Sequence, residues 1–309
     1  MTGDAGERRA PRIGVFGKGG AGKSTVVVLL ARALRRRGHE VCVVDADSTN
    51  AGLAAALGIE RSPDALMRRF GGTVFTGGPV TCPVDDPTRL DGARIDVAAL
   101  PPRFLGQDGA GLYLLTLGKI TEDGPGAGCD GPVAKIARDL EVVRGGRDVL
   151  TLLDFKAGFE DGARGVLTTL DWVLVVVDPT TAAVDLAHHV DGAVRAIRSG
   201  AAPATRHLQD PALADIARGY YRDARVRGVL CVLNKVPDAA SEAFLRQALA
   251  GRGLAPVGVL HDDRRVVAAW MRGEALPTGP LDEEAAAIVE GLEAAAGNAS
   301  REPVAAGRA

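Results

Sequence analysis

The sequence is poor in sulfur and in aromatic side chains: four cysteines, three methionines and 4% Phe, Trp and Tyr among 309 residues. Cys42, Cys82, Cys129 and Cys231 form no C-x-x-C pair and no zinc-type spacing, which excludes a zinc ribbon and a disulfide-stapled scaffold. Cys42 and Cys231 stand inside apolar runs, where a thiol acts as a small hydrophobe, whereas Cys82 and Cys129 fall among Gly, Pro and Asp. No apolar run reaches the roughly 18 residues of a spanning helix, so no membrane partner is expected. An excess of either charge is also missing. With 37 basic and 39 acidic residues the net charge is −2, which leaves no electrostatic footprint for a nucleic acid. Met1 to Pro11 is polar and lacks the apolar core of a signal peptide, so a reducing cytoplasm is the expected location.

What is present is alternation. Apolar runs expected as strands are Ile13 to Phe16, Val41 to Asp45, Tyr113 to Leu117, Val149 to Asp154, Trp172 to Asp178, Val229 to Asn234 and Val257 to Leu260. Helical patterns fit between them at Ser24 to Arg37, Val133 to Arg144, Ala182 to Arg198 and Ser241 to Arg252. Continuously apolar strands separated by helices imply a mostly parallel central sheet with helices on both faces. The fold class expected is α/β, as a single P-loop NTPase domain over residues 12–297. Two Gly/Pro/Asp-rich or charged stretches, 61–111 and 199–227, break the rhythm and read as insertions on the rim, and 1–11 and 298–309 read as disordered tails.

Gly17-Lys18-Gly19-Gly20-Ala21-Gly22-Lys23-Ser24-Thr25 follows the first apolar run and opens a helix, satisfying G-x-x-x-x-G-K-[ST] in its proper context. Its glycines let backbone N–H groups curl around phosphate oxygens at the positive end of the helix. Gly19, Gly20, Ala21, Gly22, Lys23, Ser24 and Thr25 are therefore the expected ATP-binding residues, Lys23 reaching the β- and γ-phosphates and Ser24 ligating Mg²⁺. Lys18 is an additional cation that the loop's own nucleotide does not require.

Two more strands end in carboxylates: Val43-Val44-Asp45-Ala46-Asp47 and Leu152-Leu153-Asp154. Carboxyl ends of parallel strands line the ligand crevice, so Asp45, Asp47 and Asp154 are expected beside the phosphates. Asp154 reads as a carboxylate holding the Mg²⁺ shell; for Asp47 a plain capping role is the competing reading. The Ala157-Gly158 pair after Asp154 permits close backbone approach to a γ-phosphate, while Lys156 has no evident task. Asn234-Lys235 ends another strand, and an Asn amide offers a donor and an acceptor to the adenine edge. Val236-Pro237 follows, where a guanine reader would place x-Asp, so ATP is expected rather than GTP.

The loop K-G-G-x-G-K-[ST] resembles that of the nitrogenase iron protein, MinD/ParA and arsenical-pump ATPase group. That resemblance implies that Lys18 crosses a dimer interface to the partner's nucleotide as a catalytic cation. It implies further that Asp47 orients the attacking water, that Asp45 supports Mg²⁺, and that Asn234 and Lys235 recognise adenine. A narrower resemblance, across most of Ile13 to Leu276, is to the ATPases that mature the nickel site of carbon monoxide dehydrogenase. It is carried by Val44-Asp45-Ala46-Asp47, Leu57-Gly58-Ile59, Leu115-Thr116-Leu117-Gly118-Lys119-Ile120, Ala157-Gly158-Phe159-Glu160 with Arg164-Gly165, and Val176-Val177-Asp178-Pro179. That family carries a metal-binding Cys-x-Cys pair where this chain has Cys129-Asp130-Gly131, so the second thiolate is missing. The function expected is an ATP-hydrolysing homodimeric switch, closed by ATP, that acts on a client protein. The alternative is a phosphotransferase or ligase acting on a small metabolite held by the rim insertions. A membrane-bound positioning ATPase would end in a basic amphipathic helix, whereas Leu281 to Ala295 is acidic and alanine-rich.

Overall fold

Runs such as Val41-Cys42-Val43-Val44 have no polar alternation, so both faces of each strand must be covered. The computed structural model, which describes residues 9–119 and 129–299, shows how. Eleven strands are formed among these residues: β1 (Arg12–Gly17), β2 (Val41–Ala46), β3 (Arg94–Asp96), β4 (Gly106–Gln107), β5 (Leu112–Thr116), β6 (Glu141–Arg144), β7 (Arg147–Asp148), β8 (Leu150–Phe155), β9 (Trp172–Val177), β10 (Val229–Val236) and β11 (Pro256–His261). Eight of them make one sheet in the order β11-β10-β9-β1-β8-β2-β5-β4, with only the edge strand β4 antiparallel. Strands β1, β2 and β8 are buried along their whole length.

Two apolar layers sandwich the sheet. On one face Val26, Leu29 and Leu30 of the helix Lys23–Arg36 pack with Val15, Val43 and Leu152, and with Ile288 and Val289 of the helix Pro280–Ala299. On the other, the helices Gly131–Asp139, Thr181–Arg198 and Ala239–Ala250 cover Phe16, Val44, Leu153 and Val175. Phe16 and Phe155 stack at 4.6 Å across the β1–β8 pair. The result is a single α/β domain with a mostly parallel sheet, as the alternation of apolar runs implies.

One expected helix is shorter than read. It ends at Asp139 rather than Arg144, because Leu140 is extended (φ −60°, ψ 125°) and Glu141–Arg144 becomes β6. Gly145 and Gly146, both at positive φ, turn that strand back onto β7, a Gly-Gly hairpin signal that the helical reading overrode. With β3 these strands form a second, three-stranded sheet. The stretch 199–227 holds a helix, Pro211–Arg222, started by Asp210 capping Ala212 N–H at 2.8 Å. Helix Pro280–Ala299 runs past the expected boundary at residue 297; of the expected tails, residues 1–8 and 300–309 lie outside the described residues, as does the Gly-rich stretch 120–128. No helix among the described residues is long and apolar enough to cross a membrane.

Helix Pro280–Ala299 lies against the helix Lys23–Arg36 and β11, and Asp282 takes Arg32 and Arg36 at 3.0 and 3.2 Å. Ile288 is fully buried over Gly258, where a Cβ would come within 2.4 Å of it. Ile288→Ala should therefore lower unfolding free energy by about 2–5 kcal/mol in a urea titration; a loss under 0.5 kcal/mol would show that this helix is not part of the cooperative core.

Candidate functional site

The crevice sits where β1, β2 and β8 end, and strand register assembles it. Asp45 on β2 is directly opposite Asp154 on β8, while β1 runs on into the glycine-rich loop. Left-handed backbone at Gly20 (φ 78°) and Gly22 (φ 88°) bends that loop, and Ala21 N–H closes it on the Lys18 carbonyl at 3.1 Å. Any larger residue at 22 would meet the Asn234 amide, 2.3 Å from a Cβ. The helix Lys23–Arg36 begins directly behind, presenting its free N–H groups and partial positive charge to an anion.

Lys23 is only 8% exposed, and no carboxylate stands within ion-pair distance of its ammonium among the described residues. Such a cation in the wall of a backbone cradle fits a phosphate chain. Ser24 Oγ donates to Asp154 Oδ2 at 2.6 Å and receives the Asn50 side-chain amide at 2.9 Å. Asp154 is fully buried and its Oδ1 has no hydrogen-bond partner among the described residues. Burial pushes its carboxyl up to about 7, against the Ser24 bond, and nearby Asp45 adds to the rise. A buried carboxylate with one orphaned oxygen beside a hydroxyl is a hard-oxygen donor set and fits Mg²⁺.

Asp45 is likewise buried, which pushes its carboxyl up to about 6; the Lys119 ammonium at 2.7 Å opposes that rise. Lys119 also donates to the Asp47 carbonyl at 2.6 Å. The Asp47 carboxylate itself accepts from Thr49 N–H at 2.9 Å and Thr49 Oγ1 at 2.6 Å. Its side chain is thus engaged in a local turn with Thr49 and does not cap the next helix, Leu53–Ala56, which starts after Gly52 without a side-chain cap.

Lys18 reaches Asp178, at the end of β9, at 3.5 Å and remains 37% exposed. The N-K pair on β10 braces the phosphate loop: Asn234 Nδ2 donates to the Ala21 carbonyl at 2.7 Å and Lys235 Nζ to the Gly20 carbonyl at 2.8 Å. Lys235 holds φ 57°, the single positive φ outside glycine among the described residues, the sort of backbone strain that a surrounding site must impose. Asn234 makes this one side-chain hydrogen bond among the described residues, which leaves its second N–H and its Oδ1 without a protein partner there. Thr25 Oγ1 receives Trp270 Nε1 at 2.9 Å.

Several participants carry no role that the sequence motifs reveal. Asn50 and Lys119 reach the crevice from their own loops, and Lys156 acquires a partner. Its ammonium donates to Asp130 Oδ2 at 2.7 Å, while Asp130 Oδ1 accepts from Ser48 Oγ. Burial opposes ionisation of Asp130, but the Lys156 and Ser48 hydrogen bonds prevail and hold its pKa below the usual carboxylate range. Ser48 follows Asp47, Lys156 precedes Ala157-Gly158, and Asp130 follows Cys129, so three segments meet at one carboxylate. Gly158 N–H, in turn, bonds the Gly17 carbonyl at 3.0 Å. Cys129 Sγ accepts from Gly131 N–H at 3.4 Å. A Cβ on Gly131 would lie 2.7 Å from the Cβ and 2.8 Å from the Sγ of Cys82, which occupies the space beside it.

Comparison with known proteins agrees with this geometry. The model of the CobQ/CobB/MinD/ParA nucleotide binding domain matches residues 15–276. The carbon monoxide dehydrogenase accessory protein CooC of Rhodospirillum rubrum is 32% identical over 196 residues, spanning 60% of this chain and 69% of that protein. An uncharacterized ATP-binding protein of Methanocaldococcus jannaschii is 29% identical over 188 residues, 58% of this chain and 72% of that protein. The septum site-determining protein MinD of Pyrococcus horikoshii, solved with Mg-ADP, superposes with a TM-score of 0.58 at 16% identity, covering 95% of this chain and 100% of its own.

Asp154 provides a test of the cost of this site. Its folded-state pKa of about 7 lies above the unfolded value near 3.9, so the folded state loses stability as pH rises from about 4 to 7. Asp154→Asn removes that loss: without nucleotide and Mg²⁺, its melting temperature should exceed wild type at pH 8, and the gap should close toward pH 4. A variant less stable than wild type at pH 8 would contradict a strained carboxylate here.

Proposed function

This chain belongs to the CobQ/CobB/MinD/ParA nucleotide-binding family, and on that premise we propose that it is an ATP-hydrolysing switch that closes as a homodimer and acts on a client protein. The observation carrying this reading is the division of labour between two lysines of one loop. Lys23 is buried in the cradle with no carboxylate partner, while Lys18 stays partly exposed on an ion pair with Asp178. The pair is long, and Asp178 keeps the Thr180 hydroxyl at 2.7 Å when Lys18 moves away, so Lys18 is free to leave for a second subunit.

In this reading Lys23 and the loop amides hold the β- and γ-phosphates, and Asn234 and Lys235 fix the loop while facing the adenine. Mg²⁺, held through Ser24 and Asp154 with Asp45 behind, supplies charge neutralisation at the phosphates when bound. Asp47 leaves its turn with Thr49 to orient the attacking water. Lys18 of a second subunit neutralises charge developing on the γ-phosphoryl oxygens. The client-facing output is the Cys129 segment, because Asp130 ties it both to Ser48, in the segment of Asp45 to Asp47 that serves here as first switch, and to Lys156, in the Ala157-Gly158 segment that serves as second switch. A γ-phosphate that reorders either switch therefore pulls on that segment. CooC's accessory role toward another enzyme is consistent with a protein client.

Lys23→Ala should abolish nucleotide binding, since the phosphate charge is left uncompensated; an unchanged ATP dissociation constant would remove the loop from the mechanism. The dimer is tested by two variants that should behave oppositely on a sizing column with ATP. Lys18→Ala should bind ATP yet stay monomeric, with turnover down on the order of 10³-fold. Asp47→Ala should bind ATP and accumulate as a closed dimer, because only the chemical step is lost. A wild-type protein that remains monomeric with ATP, or full turnover by Lys18→Ala, would overturn the proposal.

A further inference from the structure

A second cavity, of about 410 Å³, lies at the opposite end of the sheet from the phosphate loop. Arg12 lines it from the start of β1, and the loop begins only after Gly17, about 17 Å further along the strand. Both rim insertions contribute: Arg89 from one, and Ile216, Tyr220 and Arg225 from the other. The floor is Thr168 and Thr169, in the turn Val166–Thr169 that continues the second switch.

Arg12, Arg89, Arg138 and Arg225 in the lining outnumber its acidic side chains Asp139, Glu141 and Asp223 by one. Arg138 is matched by Asp139 at 2.7 Å, Arg89 by Glu141 at 2.9 Å, and Asp223 by Arg222 at 3.3 Å. Among the described residues the guanidinium groups of Arg12 and Arg225 donate to carbonyls alone, the nearby Asp171 accepting instead from the Arg12 backbone N–H at 2.9 Å. Arg12 donates to the carbonyls of Ala137 at 2.7 Å and Thr169 at 2.8 Å, and Arg225 to Thr169 at 2.7 Å. Arg12 is 3% exposed, and its Nε has no acceptor. Burial, and then repulsion from Arg9, lower its pKa to about 10, against the opposing charges of Asp171, Glu141 and Asp139. A guanidinium this deeply buried is normally matched by an anion. Tyr220 and Ile216 add an apolar wall, and Tyr220 is fixed by its stacking under Arg138 (4.1 Å) and its bond to Asp139 (3.0 Å).

We propose that this cavity binds a small organic oxyanion, a phosphate ester or a carboxylate, held by Arg12 and Arg225 with its carbon body against Tyr220 and Ile216. The volume suits a metabolite rather than a macromolecule. The site is separate from the nucleotide crevice, and its occupancy does not depend on the switch mechanism.

The test uses the full chain loaded with Mg²⁺ and a non-hydrolysable ATP analogue, so that the phosphate loop is already filled. Inorganic phosphate is titrated in one arm and succinate in the other, while the arginine Nε–H resonances are followed by NMR. At least one anion should shift the Arg12 and Arg225 resonances saturably, at millimolar concentration or below, and the responding arm identifies the anion chemistry. Arg225→Ala should weaken binding about tenfold, and Arg225→Lys should restore part of it. Should Arg225→Ala fail to fold, Arg89→Glu at the exposed rim gives the same reading by reversing a lining charge. Absence of a saturable shift in both arms, or unchanged affinity in a folded variant, would overturn the proposal.

Discussion

Two carboxylates buried side by side beneath a phosphate loop resist ionisation, and this resistance shapes the rest of the nucleotide site. Register alone puts Asp45 opposite Asp154, and strands covered on both faces deny them water. Lys119 relieves Asp45 directly, but Asp154 has only the Ser24 hydroxyl and the more distant Lys23 charge, so one of its oxygens remains unsatisfied. The free protein thus holds an incomplete electrostatic arrangement that Mg²⁺ and a nucleotide would complete. Preorganisation of this kind is costly to the empty fold and favourable to the loaded one.

The sequence disclosed those parts of this arrangement that are contiguous in the chain. Gly17 to Thr25, Val41 to Asp47 and Val149 to Asp154 each carry strand, turn and chemistry in a single run, so both their fold and their place in the crevice were legible. Lys156 was not, because its meaning lies in a bond to Asp130, a residue 26 positions earlier. Asn50 and Lys119 were hidden for the same reason: an amide or an ammonium in a loop has no periodicity, and only tertiary packing shows where it ends. Glu141–Arg144 was misread because two valines between charges suit either a helix face or a short strand. Gly145 and Gly146 settle the matter. The helix Pro280–Ala299 shows in the sequence only as an acidic, alanine-rich composition, since alanine periodicity gives a weak amphipathic signal.

Asp130 occupies the junction between nucleotide and surface. Its two oxygens are divided between Ser48 and Lys156, one from each switch segment. A carboxylate shared in this way cannot follow one segment without straining its bond to the other. In the proposed mechanism the two segments would be coupled through a side chain that belongs to neither, with residue 129 carried along by simple chain connectivity. The hydrogen bond from Gly158 to Gly17 closes the circuit at the phosphate loop itself.

The crowding at Gly131 ties two distant positions to each other. With the Cβ and Sγ of Cys82 within 2.8 Å of where a new Cβ would stand, residue 131 cannot acquire any side chain while Cys82 keeps its present pose. A thiol at 131 and the thiol of Cys82 as it now lies are mutually exclusive occupants of one space, so building a second cysteine into this loop requires a change at 82 as well.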